Sequence, residues 1–119
     1  MSKTEHNETI YILDQVTPKP GQAQAFLAAY MERYAPAARE RGMTLINRLV
    51  SPPMWLKEQS NMLQITWSVQ GAGAWWAMSH QGRRNPATRE FWESVEPMIV
   101  KRHRSFLSDV ADVESICNV

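Results

Sequence analysis

The sequence predicts an α+β domain of the ferredoxin-like βαββαβ type, a four-stranded antiparallel sheet with its helices on one face. The 119 residues match the size of one ordinary domain. Apolar residues make up 44% of the chain, enough for a core. Patterns typical of strands and helices alternate in the order strand, helix, strand, strand, split helix, strand. We expect the domain at residues 9–113, between a flexible arm (1–8) and a tail (114–119).

The spacing of apolar residues changes near residue 20, which indicates a first strand before this point and a first helix after it. Residues 9–16 are rich in β-branched side chains and stop at breakers that include Pro18, Pro20 and Gly21. From residue 22 to 41, apolar side chains recur at helical spacing, and Gly42 follows as a cap. Pro36 predicts a kink in this helix because it lacks a backbone N–H.

The second and third strands are predicted at residues 43–50 and 62–69, joined by a long hairpin connection. The third strand alternates strictly, with these apolar residues on one face: Leu63, Ile65, Trp67 and Val69. A second helix follows from residue 73 and is interrupted around 82–86, where Asn85 is the predicted N-cap. Its apolar period continues to Ile99, so we expect the last strand at residues 105–113.

Charge and composition argue against several classes of function. Thirteen Lys and Arg against twelve Asp and Glu give a net charge of +1, which provides no global attraction for nucleic acid or anionic lipid. The single cysteine and the scattered histidines lack the spacing of a metal site. No stretch approaches the roughly 18 apolar residues of a membrane span. We expect a cytoplasmic protein with no cofactor, metal, nucleic-acid or membrane partner.

The predicted sheet has a face that no helix covers. An exposed apolar patch of this kind is unusual in a soluble monomer, and pairing two sheets face to face would bury it. We therefore expect a homodimer.

Residues 9–113 resemble the dimeric α+β barrel superfamily, in particular its NIPSNAP-like, EthD-like and antibiotic-biosynthesis-monooxygenase-like branches. The resemblance lies in residues 16–21 before the first helix, Gly42, the strand that bears Trp67, and the segments 74–77 and 89–92. It implies two protomers that form a barrel, each with a small-molecule pocket between its sheet and its helices. Members include monooxygenases, cyclases, isomerases, dehydratases and haem-degrading enzymes, so the resemblance does not select a reaction.

Four residues are candidates for catalysis. His80, at the end of the first half of the split helix, could act as a general acid or base, or could be an ordinary surface histidine. Asp14 interrupts an apolar strand, and it is a base, a salt-bridge partner or an exposed strand end. Arg48 could hold an enolate or carboxylate, or pair with Asp14 across the sheet. Tyr11 could present its phenol to a ligand.

Five further residues are candidates for binding a substrate: Gln64, Thr66, Trp67, Trp76 and Arg83. Gln64 and Thr66 would donate hydrogen bonds from one face of the sheet. An error of one residue in the predicted register would move each of these side chains to the opposite face. Trp76 is either core or pocket wall. Trp67 and His80 resemble the strand Trp and helix His that line the pocket in the haem-degrading branch, but their spacing is longer.

A basic bias in the second half of the chain indicates either a solvated helix face or attraction of an anionic substrate to the pocket mouth. It is carried by Arg83, Arg84, Arg89, Lys101, Arg102 and Arg104.

These patterns predict a cofactor-independent lyase, isomerase or cyclase that moves protons on an apolar, aromatic or cyclic substrate. His80 or Asp14 would be the base, and Arg48 and Tyr11 would hold the oxyanion. The alternatives are a cofactor-free or haem-dependent monooxygenase, and a non-catalytic dimer that binds a hydrophobic ligand or serves a structural role.

Overall fold

A computed structural model of the chain describes residues 8–117, in which helices cover one face of a four-stranded antiparallel sheet. The strands are β1 (Thr9–Pro18), β2 (Thr44–Ser51), β3 (Met62–Gln70) and β4 (Ile99–Ser108), in the spatial order β2-β3-β1-β4. The helices are α1 (Ala23–Ala29), α2 (Ala35–Glu40), α3 (Ala72–Arg84), α4 (Pro86–Val95) and α5 (Val113–Cys117). The predicted ferredoxin-like fold is confirmed. No helix within this part of the chain is both long and apolar enough to cross a membrane.

The strand register assigns side chains to two faces of the sheet. Asp14 lies opposite Ile65 on β3 and opposite Arg104 on β4, so these three side chains share the face that packs on the helices. The core lies on this helix face and includes the predicted apolar face of β3: Leu63, Ile65, Trp67 and Val69. We call the other side the open face. It carries Tyr11, Leu13, Gln15, Gln64, Thr66 and Leu107.

The first helical region has its irregularity one turn earlier than the sequence predicts. A π-helical turn at Tyr30–Tyr34 joins α1 to α2, so that Pro36 falls in the first turn of α2. Pro36 lacks the N–H that an uninterrupted α-helix would bond to the carbonyl group of Glu32, and the change to π-helical hydrogen bonding just before it accommodates that loss. The turn leaves both Tyr30 and Tyr34 buried against the sheet.

The last strand is where the sequence prediction is wrong. β4 spans Ile99–Ser108, because Pro97 ends the preceding helix in a 3₁₀ turn, Glu96–Met98. The helix-face positions of β4 hold Arg102 and Arg104 instead of apolar residues, which conceals the alternation of the strand. Residues 110–117 are helical, as a 3₁₀ turn and α5.

The split of the second helix is only partly as predicted. Helix α3 continues through Gly82 to Arg84 without interruption, and only then does the chain turn. The predicted cap is confirmed, because Asn85 Oδ1 accepts a hydrogen bond from the Ala87 N–H at 2.9 Å. The proposed flexible arm, except Glu8, and the last two residues of the tail lie outside the described residues.

Two glycines with positive φ give a matched pair for a stability prediction. Gly21 (φ 76°) and Gly42 (φ 96°) both adopt a backbone conformation that costs other residues about 1–2 kcal/mol. A Cβ at Gly21 would lie 2.5 Å from the backbone oxygen of Lys57, whereas one at Gly42 would meet nothing within 4 Å. In chemical denaturation, we expect Gly42→Ala to lower the free energy of unfolding only by this conformational cost. Gly21→Ala should lower it by clearly more, because its Cβ also collides with the backbone of Lys57. Equal losses would contradict this steric explanation.

Candidate functional site

A cleft of about 640 Å³ lies between β4 and helices α3 and α4. Its lining includes Trp75, Trp76, Gly82 and Arg83 from α3, Thr88 and Trp92 from α4, Arg102, Arg104 and Phe106 from β4, and Tyr34 and Arg41 from the first helical region. The volume falls within the range of about 300–1,000 Å³ that is typical of small-molecule sites. The cleft is therefore the candidate functional site.

A buried ion pair lies beneath the floor of the cleft. Asp14 is 0% exposed, and both of its carboxylate oxygens accept hydrogen bonds from Arg104, at 2.6 Å from Nε and 2.8 Å from Nη2. Tyr30 Oη donates to the same carboxylate at 2.8 Å, and Trp67 Nε1 donates to Tyr30 Oη at 2.6 Å. The carboxylate thus has three donors, as a buried charge requires.

Arg104 connects this buried pair to the cleft through Tyr34. Its Nη2 donates to Tyr34 Oη at 2.8 Å, and Arg41 Nη2 donates to the same oxygen at 3.3 Å. Arg41 is itself held by a 3.3 Å hydrogen bond from Nη1 to Thr88 Oγ1. Tyr34 is 1% exposed and belongs to the lining of the cleft, and within residues 8–117 its hydroxyl proton has no acceptor.

The pKa shifts of this network keep its charges fixed near neutral pH. Burial raises the pKa of Tyr30 well above its ordinary value, and the negative charge of Asp14 raises it further, so Tyr30 remains a neutral donor. Burial alone would lower the pKa of Arg104, but the hydrogen bonds and charge of Asp14 outweigh it and raise the pKa. Arg104 therefore stays protonated in its pair with Asp14.

The structure brings some of the sequence-predicted residues to the cleft and leaves others away from it. Trp76 and Arg83 line it. Asp14 and Trp67 are fully buried beneath it, and Asp14 is a salt-bridge partner, one of the three interpretations that the sequence left open. His80 is exposed on α3 and is not part of the lining.

The other predicted residues lie on the open face or at the edge of the sheet. Tyr11, Gln64 and Thr66 share the open face, opposite to the side that bears Asp14. Arg48 is exposed on the edge strand β2. It does not pair with Asp14, because β3 separates β2 from β1 whereas β4 lies directly beside β1 and supplies Arg104.

Sequence reasoning missed the two residues that organise the floor of the cleft, Tyr30 and Tyr34. Both belong to the apolar pattern of residues 22–41, which predicts that they are buried but assigns them no polar role. Their hydroxyl groups were the available signal, since a buried tyrosine usually needs a polar partner and the strand beside this helix contains the isolated Asp14.

The residues do not fit the haem arrangement that the resemblance suggested. The indole N–H of Trp67 is bonded to Tyr30 and its side chain is 0% exposed, while His80 faces solvent outside the cleft. The described residues also contain no cluster of three or more His, Cys, Asp or Glu side chains that could hold a metal ion.

Comparisons with known proteins identify the fold. No protein-family model and no curated protein matches the sequence. A NIPSNAP family protein of unknown function from Agrobacterium tumefaciens superimposes with a TM-score of 0.68 at 12% identity, over 87% of this chain and 90% of that one. An uncharacterised NIPSNAP domain protein from Burkholderia xenovorans gives 0.67 at 14% identity, over 86% and 95%.

A candidate antibiotic biosynthesis monooxygenase from Nitrosomonas europaea gives a TM-score of 0.61 at 12% identity, over 92% of this chain and 96% of that one. Similarity at these identities establishes the fold and leaves the chemistry to the residues of the cleft. This chain shares its ferredoxin-like α+β fold with these three solved structures.

Proposed function

We propose that the protein is a cofactor-independent lyase, isomerase or cyclase that transfers protons on an apolar, aromatic or cyclic molecule bound in the cleft. The observation that carries this proposal is the Tyr34 hydroxyl. Its oxygen accepts hydrogen bonds from Arg41 and Arg104 at the floor of the cleft, and its proton has no acceptor within residues 8–117.

The arrangement of charges supports a role for Tyr34 in proton transfer. If a substrate carbonyl oxygen takes the Tyr34 proton, the O–H bond of Tyr34 breaks and the negative charge stays on its oxygen, 2.8 Å from Arg104 Nη2 and 3.3 Å from Arg41 Nη2. The same oxygen then takes a proton from the carbon beside the carbonyl group, which forms the enol and restores the hydroxyl. Fixed donors of this kind typically contribute about 3–4 kcal/mol each to an oxyanion transition state. Asp14 acts in this scheme as a positioning residue, because it holds Arg104 and does not line the cleft.

The aromatic wall of the cleft supports a flat apolar substrate. The ring of Trp75 lies 4.4 Å from that of Trp76 and 5.5 Å from that of Phe106, measured between centroids. Such a surface buries a large area of a planar molecule and adds specific ring contacts.

The proposal predicts enzyme-dependent uptake of deuterium. We would incubate the protein in D₂O with a panel of aromatic and cyclic ketones and measure incorporation by mass spectrometry. Tyr34→Phe removes only the hydroxyl and should lower the exchange rate by about 10²–10⁴-fold, as expected for loss of an acid–base group. Tyr11→Phe removes the same group from the open face. Loss of exchange in Tyr11→Phe alone would place the chemistry on that face and contradict the proposal.

A cofactor-free monooxygenase is the second candidate, and the structural similarity to a candidate monooxygenase favours it. An oxygen electrode separates the two, because proton transfer consumes no oxygen whereas a monooxygenase consumes it with its substrate. A bound molecule recovered unchanged from the purified protein, with neither exchange nor oxygen uptake, would indicate a non-catalytic binding protein.

The working form of the protein would be a homodimer paired through the open face. This face carries partly exposed apolar side chains, with Tyr11 38%, Leu49 51% and Leu107 45% exposed. A second copy of the same face would cover them in a twofold pair.

A further inference from the structure

We propose that the molecule bound in the cleft carries a carboxylate, which Arg102 binds while the aromatic part of the molecule lies against Trp75, Trp76 and Phe106. This inference rests on the proposed function, since it names the class of substrate for the same cleft. It assigns the specificity of the site to a residue that takes no part in the proposed proton transfer.

The orientation of Arg102 is fixed by stacking. Its guanidinium carbon lies 3.7 Å from the centre of the Trp92 ring, within the range of a cation–π contact. A guanidinium that stacks on an indole keeps its N–H groups directed outward around its edge, and such a planar edge suits the two oxygens of a carboxylate. Within residues 8–117, none of these N–H groups has a hydrogen-bond acceptor.

The charge of the cleft is not compensated by the protein. Four arginines line it, and only Arg104 has a carboxylate partner among the described residues, the buried Asp14. No Asp or Glu belongs to the lining. Glu93 and Glu96 border the adjoining groove on the other side of Arg102, but neither lies within 4.0 Å of its nitrogens. The cleft therefore presents excess positive charge to a ligand.

Arg104 extends the anion site along the strand. It lies two residues from Arg102 on the same face of β4, and its Nη1 makes no hydrogen bond to residues 8–117, whereas Nε and Nη2 are bonded to Asp14 and Tyr34. Partial burial lowers the pKa of Arg102, which makes no ion pair within residues 8–117.

The opposite part of the lining is aromatic and also contains an unused donor. Trp75 Nε1 is buried without an acceptor in the described part of the chain. Unpaired buried donors are uncommon in native structures, and one at a cleft wall is consistent with an acceptor supplied by a ligand. A planar conjugated acid would satisfy both parts of the cleft, whereas inorganic phosphate would occupy only the arginines.

The test compares matched probes by isothermal titration calorimetry on the full chain. 2-Naphthoate should bind at least about tenfold more tightly than neutral 2-naphthalenemethanol, the ratio expected for one hydrogen-bonded charge pair. Inorganic phosphate at the same concentration should not displace it. Arg102→Gln should abolish the preference for naphthoate, and Arg102→Lys should retain only part of it because lysine lacks the planar pair of donors.

Arg89→Gln is the control variant. Arg89 lies on α4 in the adjoining groove, so this substitution removes one positive charge outside the cleft. It should keep the full preference. Equal binding of both naphthalene probes, competition by phosphate, or an unchanged preference in Arg102→Gln with native thermal stability would overturn the carboxylate site while leaving the proposed function intact. Failure of both probes to bind would instead refute the small-molecule cleft, and with it the proposed function.

Discussion

Replacing Asp14 with alanine should destabilise the protein by about 3–5 kcal/mol, the range measured when one partner of a buried ion pair is removed. Asp14 is 0% exposed and Arg104 is 26% exposed, so the guanidinium would remain largely out of water without its carboxylate. The Tyr30 hydroxyl would lose its acceptor at the same time. Urea denaturation with tryptophan fluorescence measures the loss.

Two further variants separate the charge from the space it occupies. Asp14→Asn keeps the shape and one acceptor oxygen, so it should lose less stability than Asp14→Ala. The double variant Asp14→Leu with Arg104→Met removes both charges and fills the site with apolar atoms, which often recovers much of the lost stability. If this double variant were no more stable than Asp14→Ala, the loss would come from packing and hydrogen bonds, and the explanation from an unpaired arginine would be wrong.

The same variants report on the cleft. In Asp14→Asn, Arg104 keeps its place in the chain but loses its charged anchor, and Arg104 is the residue that connects the buried pair to Tyr34. We therefore expect a lower exchange rate together with the lower stability. Tyr34→Phe should differ, since it removes the reacting hydroxyl while leaving the pair of Asp14 and Arg104 intact.

Parts of the fold could be predicted because they depend on local patterns. The alternation of β3 places Leu63 and Trp67 on the same face, and a β-strand with one buried face permits only that register. The breakers around Pro20 and the cap at Asn85 likewise act within a few residues. These features specify the order of elements, which suffices for the fold class.

The site was harder to predict because it depends on contacts between distant segments. Asp14 and Arg104 are 90 residues apart, and they meet only because β4 lies beside β1. Arg102 and Arg104 line the cleft and also make β4 unlike a typical strand. For this one reason the sequence predicts neither the bounds of β4 nor its place in the site. The candidate catalytic residues Tyr11 and Asp14 also lie on opposite faces of β1, so they cannot belong to the same site.

A single lysine at the centre of the open face should prevent the proposed homodimer from forming. Leu13 lies on this face in the middle of β1, opposite Thr66 of β3 and Ser105 of β4. In a twofold pair through this face, Leu13→Lys would place two like charges near the axis of an interface that buries on the order of 2,000 Å². We expect the wild-type chain to sediment at twice the chain mass at micromolar concentration and Leu13→Lys to sediment as a monomer.

The control for charge is Ala25→Lys, which adds the same side chain at an exposed position of α1 in the helix layer. This variant should remain dimeric. The melting temperature of the wild type and of Ala25→Lys should rise with protein concentration, because association stabilises the folded state by mass action, whereas that of Leu13→Lys should not. A wild-type chain that sediments as a monomer at micromolar concentration would refute the homodimer. If Leu13→Lys stayed dimeric, the two copies would have to meet through a surface other than the open face.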